Sequence, residues 1–276
     1  IGLFTDKSIN RFPEEYKKAD LITAFNVFAH SDEMQGMIDG IKILLKPNGI
    51  FCFEVQYLKS ILDKKLLGTI FHEHMIHYSV TSAKRFLEAN GLHLFDLIEN
   101  NIQKGSIIFF ACKKDNEIAT SKSVLSLLDI EKNNGYLDGS KFADFNYFIT
   151  VQKNKLEKLI SLYQKKKYTI AAYGAARSGP TLCIQYGITN VIEYLIDDHP
   201  SKIDKFSAFE GLLVKSTAEL KNSKPEVVII LAWIHSSQII INHIDYLEEG
   251  GKFIILFPEI NEINIDNYKK FIGISI

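Results

Sequence analysis

A short β-prone run, Asp20–Val27, is followed by apolar residues at helical spacing (Met34, Met37, Ile38, Ile41, Leu44 and Leu45), then by a turn and a second apolar run, Ile50–Val55. No other feature of the 276 residues constrains the fold as tightly. Apolar side chains recurring three and four positions apart share one face of a helix from Glu33 to Leu45. Ser31 or Asp32 is placed to cap that helix, and Lys46-Pro-Asn-Gly49 stops it. Strand, helix, turn, strand is a βαβ unit. Such units build parallel sheets covered by helices, with ligands at the carboxyl ends of the strands.

The rest of the chain continues the α/β alternation. After Gln56–Leu67 comes a polar-aromatic cluster, Phe71–Ser79, then a predicted helix from Thr81 to Asn90 ended by Gly91, and predicted strands at His93–Glu99 and Ser106–Cys112. Lys113–Ser140 is polar and carries no clear period, so a domain boundary is expected there: a first domain over residues 1–115, a connecting segment with a long helix from Phe142 over 116–165, and a second domain over 166–276. In the second domain the strand Tyr168–Ala172 leads into the tight loop Gly174–Gly179 and the helix Pro180–Tyr186. Strands at Val191–Ile196, Val227–Leu231 and Lys252–Phe257, with a helix over Ser236–Glu248, complete a Rossmann-like pattern. The first residue is Ile1, not Met, and the opening reads as the middle of a domain, so an upstream part is expected to be missing.

Composition narrows the function. With 32 Lys+Arg against 33 Asp+Glu the chain has no field for gathering polyanions, and nucleic acid is not an expected partner. No apolar run approaches the roughly 20 residues of a membrane span, and no signal-peptide pattern opens the chain, so a cytoplasmic protein is expected. The three cysteines, Cys52, Cys112 and Cys183, form no C-x-x-C pair and speak against a disulfide framework or a thiolate zinc site.

Three clusters of residues suit chemistry. In His72-Glu73-His74-Met75-Ile76-His77-Tyr78-Ser79, three of the eight histidines fall within six residues beside a carboxylate and a phenol, more titratable groups than a core has use for. Imidazole suits proton abstraction near neutral pH, and a neighbouring carboxylate orients it or holds its charged form. Zinc ligation by the histidines competes, but H-E-x-x-H is absent, and no metal is expected. The second cluster, Asn26-Val-Phe-Ala-His30, follows the first strand, where α/β proteins place ligand contacts. The third, Tyr173-Gly-Ala-Ala-Arg177-Ser178-Gly179-Pro-Thr181, offers backbone N–H groups, a helix N-terminus and a guanidinium to an anion, or else only permits tight strand-to-helix packing. Asp197, about 20 residues further on, sits where dinucleotide folds place a ribose-binding acid, which keeps a nicotinamide oxidoreductase in play. Trp233 and His235 either line the same cleft or pack.

Together these segments resemble the S-adenosylmethionine-dependent sugar C-methyltransferases, which act on nucleotide-linked keto-deoxysugars. Ala19–His30 with Leu45–Val55 and Tyr57-Leu58 looks like the later half of a class I, Rossmann-like methyltransferase domain. Phe71-His-Glu-His74 with Tyr78-Ser79 is similar to the family motif Y-H-E-H-x-x-Y-S, although three residues separate His74 from Tyr78 and Phe71 replaces the leading Tyr. Lys104-Gly105-Ser106 looks like the family's G-G-S turn, and Ile170–Gly179, Asp197–Pro200 and Ile230–Trp233 resemble its C-terminal domain. The implied fold is a partial class I methyltransferase domain followed by a second Rossmann-like α/β domain. The resemblance also implies His74 as general base, Glu73 binding or polarising the sugar, and His30 assisting. Asn26, Val27 and Phe28 would border S-adenosylmethionine. His72, Tyr78, Gly174, Arg177, Ser178 and Gly179 would contact the sugar nucleotide or shape the cleft. The family's cysteine-rich zinc domain, glycine-rich donor loop and ribose-binding acid have no counterpart in these residues. A non-catalytic sugar-nucleotide-binding module is therefore the alternative to an enzyme.

Overall fold

The computed structural model describes residues 4–9, 11–16, 18–207 and 210–273. The chain divides into two compact units: one runs up to Asp63 and resumes over His72–Ala143, and the other takes Lys64–Phe71 and the chain from Asp144 onward.

In the first unit a helical turn, α1 (Asp6–Ile9), packs on α2 (Met34–Leu44), which joins β1 (Ala19–Phe25) to β2 (Leu45–Gln56) as the expected parallel βαβ unit. The predicted helical face is the buried one: Met34, Met37, Ile38, Ile41 and Leu44 point inward. β2 includes the Lys46–Gly49 turn, and the register against β1 shifts there. After α3 (Leu58–Asp63) and the His-rich segment comes α4 (Val80–Ala89). Ser79 caps α4 by accepting the Ser82 N–H, and the left-handed Gly91 follows its end. The hairpin β3 (Leu92–Asn100) and β4 (Ser106–Lys113) completes a sheet of order β1-β2-β4-β3, with only the β1–β2 pair parallel. Phe51, Cys52, Phe53 and Val55 in β2 are all buried, as an interior strand covered on both faces requires.

The polar stretch after Lys113 is not a linker, and the division does not fall at residue 115. α5 (Lys122–Asn133) belongs to the first unit, where Val124 and Leu127 enter the core, and α6 (Ser140–Lys165) carries the chain into the second. Val124, Leu127 and Leu128 are spaced as a helix face, but the exposed Leu125 and the charged and polar residues around them blur that period in the sequence.

The second unit holds a six-stranded sheet of order β10-β9-β8-β5-β6-β7, parallel except for the β9–β10 pair. Its strands are β5 (Ile170–Tyr173), β6 (Leu195–Ile196), β7 (Val214–Lys215), β8 (Val227–Ile230), β9 (Lys252–Ile255) and β10 (Asn261–Ile263). Helices α7 (Gly179–Tyr186), α8 (Glu219–Asn222), α9 (Ser236–Asn242) and α10 (Ile244–Glu248) complete it. The single helix predicted over Ser236–Glu248 is broken at His243, whose ring reaches the Tyr173 hydroxyl at 3.2 Å. No helix among the described residues is long and apolar enough to cross a membrane.

Candidate active site

In the first unit the candidate residues gather beyond the carboxyl end of β1. Asn26 leaves the strand in a left-handed conformation (φ 54°), and its Oδ1 accepts the Gln103 Nε2–H at 3.2 Å from the β3–β4 turn. Val27 is exposed, and a single 3₁₀ turn over Phe28–His30 follows. The His-rich segment lies against that turn. The Met75 N–H donates to the Ala29 carbonyl at 3.0 Å, and the Leu58 N–H donates to the Tyr78 carbonyl at 2.9 Å, so the segment is tied on both sides of His77. These ties set the His74 ring 4.9 Å from the His30 ring, and the His77 ring edge-on to His74 at 5.6 Å.

The side chains differ sharply in access. His72 is exposed, its Nε2 3.9 Å from a half-buried Glu73 carboxylate, while His30 and His74 are partly buried. Phe28 and Tyr78 require correction as ligand contacts. Phe28 is wholly buried against Phe51, Phe53, Tyr78 and Phe86. The Tyr78 hydroxyl faces Met34 Sδ at 3.8 Å, and burial pushes its pKa well above the usual phenol range. Both rings fill the aromatic core beneath the turn, so only backbone atoms of Phe28 remain to face a ligand. Among the described residues no group of three or more His, Cys, Asp and Glu side chains has the arrangement to hold a metal ion.

In the second unit the chain order reverses at β5, which has β6 on one side and β8 on the other, and ligands of open α/β sheets bind beside such a point. A cavity of about 430 Å³ opens there, lined by Tyr173 at the end of β5 and Gly174 after it, by Asp197, Asp198 and Lys202 after β6, and by Ala232, His235, Gln238 and Asn242 after β8. Gly174 holds φ +104°, and a Cβ on it would come within 2.6 Å of the Ala232 Cβ, so the close approach of the two strand ends requires glycine. Arg177, Ser178 and Gly179 are not among the lining residues; Arg177 is exposed, and Ser178 and Gly179 are buried at the start of α7. Gln238 and Asn242 escaped the sequence reading, although their i, i+4 spacing on a polar helix face was a usable signal.

Asp197 acts as an internal tie. It accepts the Ala175 N–H at 2.8 Å, the His199 N–H at 2.9 Å and the Lys202 ammonium at 2.9 Å. Burial pushes its pKa up, but the His199 N–H, the Lys202 ammonium and the Ala175 N–H outweigh that and hold it below the usual carboxylate value. With both oxygens engaged, it is poorly placed to take a ribose, which weighs against the nicotinamide reading. Trp233 is buried against Phe257 with its ring over Gly68, so it packs and does not line the cavity, whereas His235 does line it.

The C-methyltransferase NovU of Streptomyces niveus is 27% identical over 250 residues, covering 90% of this chain and 60% of that protein, so the chain spans about 60% of the length of this curated relative. Two solved structures are distantly similar. The M1.HpyAVI–SAM complex aligns over 42% of this chain and 55% of its own at 18% identity and a TM-score of 0.28. UDP-D-quinovosamine 4-dehydrogenase from Vibrio fischeri aligns over 40% and 89% at 14% identity and a TM-score of 0.26. Scores this low carry no argument. The family model of the C-methyltransferase C-terminal domain matches residues 101–258, more than half of the chain, and the chain belongs to that family.

Proposed function

We propose that this chain takes part in methyl transfer from S-adenosylmethionine to the carbon next to the ketone of a nucleotide-linked keto-deoxysugar, with His74 as the base. The observation that carries this is the pairing of the His74 and His30 rings, 4.9 Å apart beyond the carboxyl end of a parallel strand, with Glu73 the residue before His74. The name of the NovU relative, a C-methyltransferase, agrees with it.

A proton next to a ketone is acidic enough for imidazole only where the enolate oxygen is stabilised. His74 takes that proton onto a ring nitrogen, His30 supports the charge that develops across from it, and Glu73 accepts hydrogen bonds from sugar hydroxyls. When bound, the sulfonium donor supplies an electrophilic methyl group, which the enolate carbon takes while the sulfur keeps the bonding electron pair. The residues present fit one side of such a donor: exposed Asn26 and Val27 and the backbone of Phe28 border the strand end where it would lie. In the second unit, Gly174 and, at the start of α7 outside the cavity, Arg177, Ser178 and Gly179 would contact the sugar nucleotide.

Deuterium wash-in at the carbons flanking the ketone of nucleotide-linked keto-deoxysugars reads proton abstraction without the donor. The expected result is exchange by the wild-type chain, none by His74→Ala, and nearly equal sugar-nucleotide affinity for both. Equal loss of exchange and affinity would remove the base assignment. Binding without exchange in the wild type would leave a sugar-nucleotide-binding module. Calorimetric titration with S-adenosylmethionine, and with S-adenosylhomocysteine as product control, tests the donor side: one-site binding supports it, and no heat from a folded sample refutes it for this chain.

A further inference from the structure

His77 has no task in the reaction as proposed, yet its setting is not that of an ordinary core residue. Its Nδ1 and Nε2 are both shut off from solvent without a hydrogen-bond partner. A buried polar atom left in that state costs about 1–3 kcal/mol, which an apolar ring of similar size would avoid. The place is also specific. The ring stands edge-on to His74, with an interplanar angle of 87°, while the His30 ring lies at 60° to His74. The backbone ties at Met75 and Tyr78 flank His77 and fix where its ring enters.

Its protonation state follows from the same setting. Burial, and after it the charge His74 can carry, depress the His77 pKa to about 4. Near neutral pH the ring is therefore uncharged and offers one N–H and one bare lone pair. Titratable groups close to the pair in space or sequence include His30 on the 3₁₀ turn, whose ring lies 4.9 Å from that of His74, and His72 and Glu73 on the segment itself; the adjacent Tyr78 hydroxyl faces Met34 Sδ.

We infer that His77 is a positioning residue for His74: its lone pair receives the ring N–H of His74, fixing the tautomer that aims the opposite nitrogen at substrate and stabilising the imidazolium formed on proton abstraction. In this structure the rings stand edge-on with centroids 5.6 Å apart and the His77 nitrogens have no partner, so the bond requires the His74 ring to turn toward His77. No proton changes hands between the rings; the proton taken from the sugar carbon stays on His74, and His77 stays neutral because its own basicity is so low. This is the second-residue role that carboxylates and carbonyls commonly play for catalytic histidines, filled here by another imidazole. The inference rests on His74 being the base.

The test uses the full chain labelled with ¹⁵N-histidine and follows the His74 ring nitrogens by NMR from pH 4 to pH 9 in the wild type, His77→Phe and His77→Gln. His77→Phe keeps the flat shape and removes both nitrogens; His77→Gln restores an acceptor. The expected result is a His74 titration midpoint lower by about one pH unit in His77→Phe, a tenfold loss of proton affinity, with mixed tautomers, and recovery of at least half of that in His77→Gln. A midpoint and tautomer unchanged in His77→Phe would overturn the inference, as would an equal shift in both variants, which marks a packing effect. The deuterium wash-in with His74→Ala judges the base assignment separately: exchange surviving there would end the reading beneath this one, whatever the titration shows.

Discussion

The Glu131 carboxylate on α5 accepts the Val80 N–H at the start of α4 at 2.6 Å, although the two residues lie 51 positions apart. The same Oε1 takes the Tyr57 hydroxyl at 3.0 Å, and Oε2 takes both the N–H and the hydroxyl of Thr81, at 2.8 and 2.6 Å. A negative charge at a helix N-terminus with four donors is a strong arrangement, and it pins the chain immediately after the His-rich segment.

Replacing Glu131 by Gln is accordingly expected to be as harmful as replacing it by Ala. Each carboxylate oxygen serves one backbone N–H and one hydroxyl; the hydroxyl can turn and accept from an amide NH₂, but the N–H of Val80 or Thr81 cannot, so either orientation of the amide sets an NH₂ against a backbone donor. Both variants should lose about 3 kcal/mol of stability in urea unfolding. A loss below about 1 kcal/mol for Glu131→Gln would show that water takes over the second oxygen.

Gly174→Ala should destabilise the chain by about 3 kcal/mol, combining a backbone conformation closed to L-residues with overpacking at the end of β8. The added methyl meets the Ala232 Cβ at 2.6 Å and its nitrogen at 2.9 Å, so the β5 and β8 ends must part. Widening of the cavity between them should appear as shifted amide signals for Ala232 and His235. A variant with wild-type stability and unshifted signals contradicts this account.

For Asp197 the prediction concerns pH. Its folded-state pKa lies below the unfolded value of about 3.9, so its contribution is complete above that pH and is lost as the pH falls through the folded-state value. The stability gap between wild type and Asp197→Asn should be about 1–2 kcal/mol at pH 7 and close steadily below about pH 4. A gap that stays constant down to pH 2 would mean that the carboxylate's charge contributes nothing to the tie.

How far the sequence revealed this structure depended on whether a signal was local. The α2 face was legible because Met34, Met37, Ile38, Ile41 and Leu44 declare their side by spacing alone, and the Gly174 turn because glycine, proline and flanking apolar runs coincide. α5 was not legible as part of the first unit: its chief anchor is the charge of Glu131, which earns its place only through Tyr57, Val80 and Thr81 far away in sequence. In the His-rich segment the concentration of function was visible, but which rings face outward was not. Tyr78 resembles a motif tyrosine in the sequence and proves to be a core phenol, while His77, one residue earlier, holds the ring beside His74. The difference is set by the Met75 and Leu58 backbone ties, and no residue type announces them.

The assignment of Lys64–Phe71 to the second unit gives the chain three passages between units, after Asp63, after Phe71 and after Ala143. Gly68, in that short excursion, fits beneath Trp233 with no space for even a methyl group. No single proteolytic nick can therefore release either unit whole: a cut after Ala143 leaves one product without its eight-residue inlay and the other with that inlay exposed. Grafting the second unit onto another protein would have to transplant residues 64–71 with it.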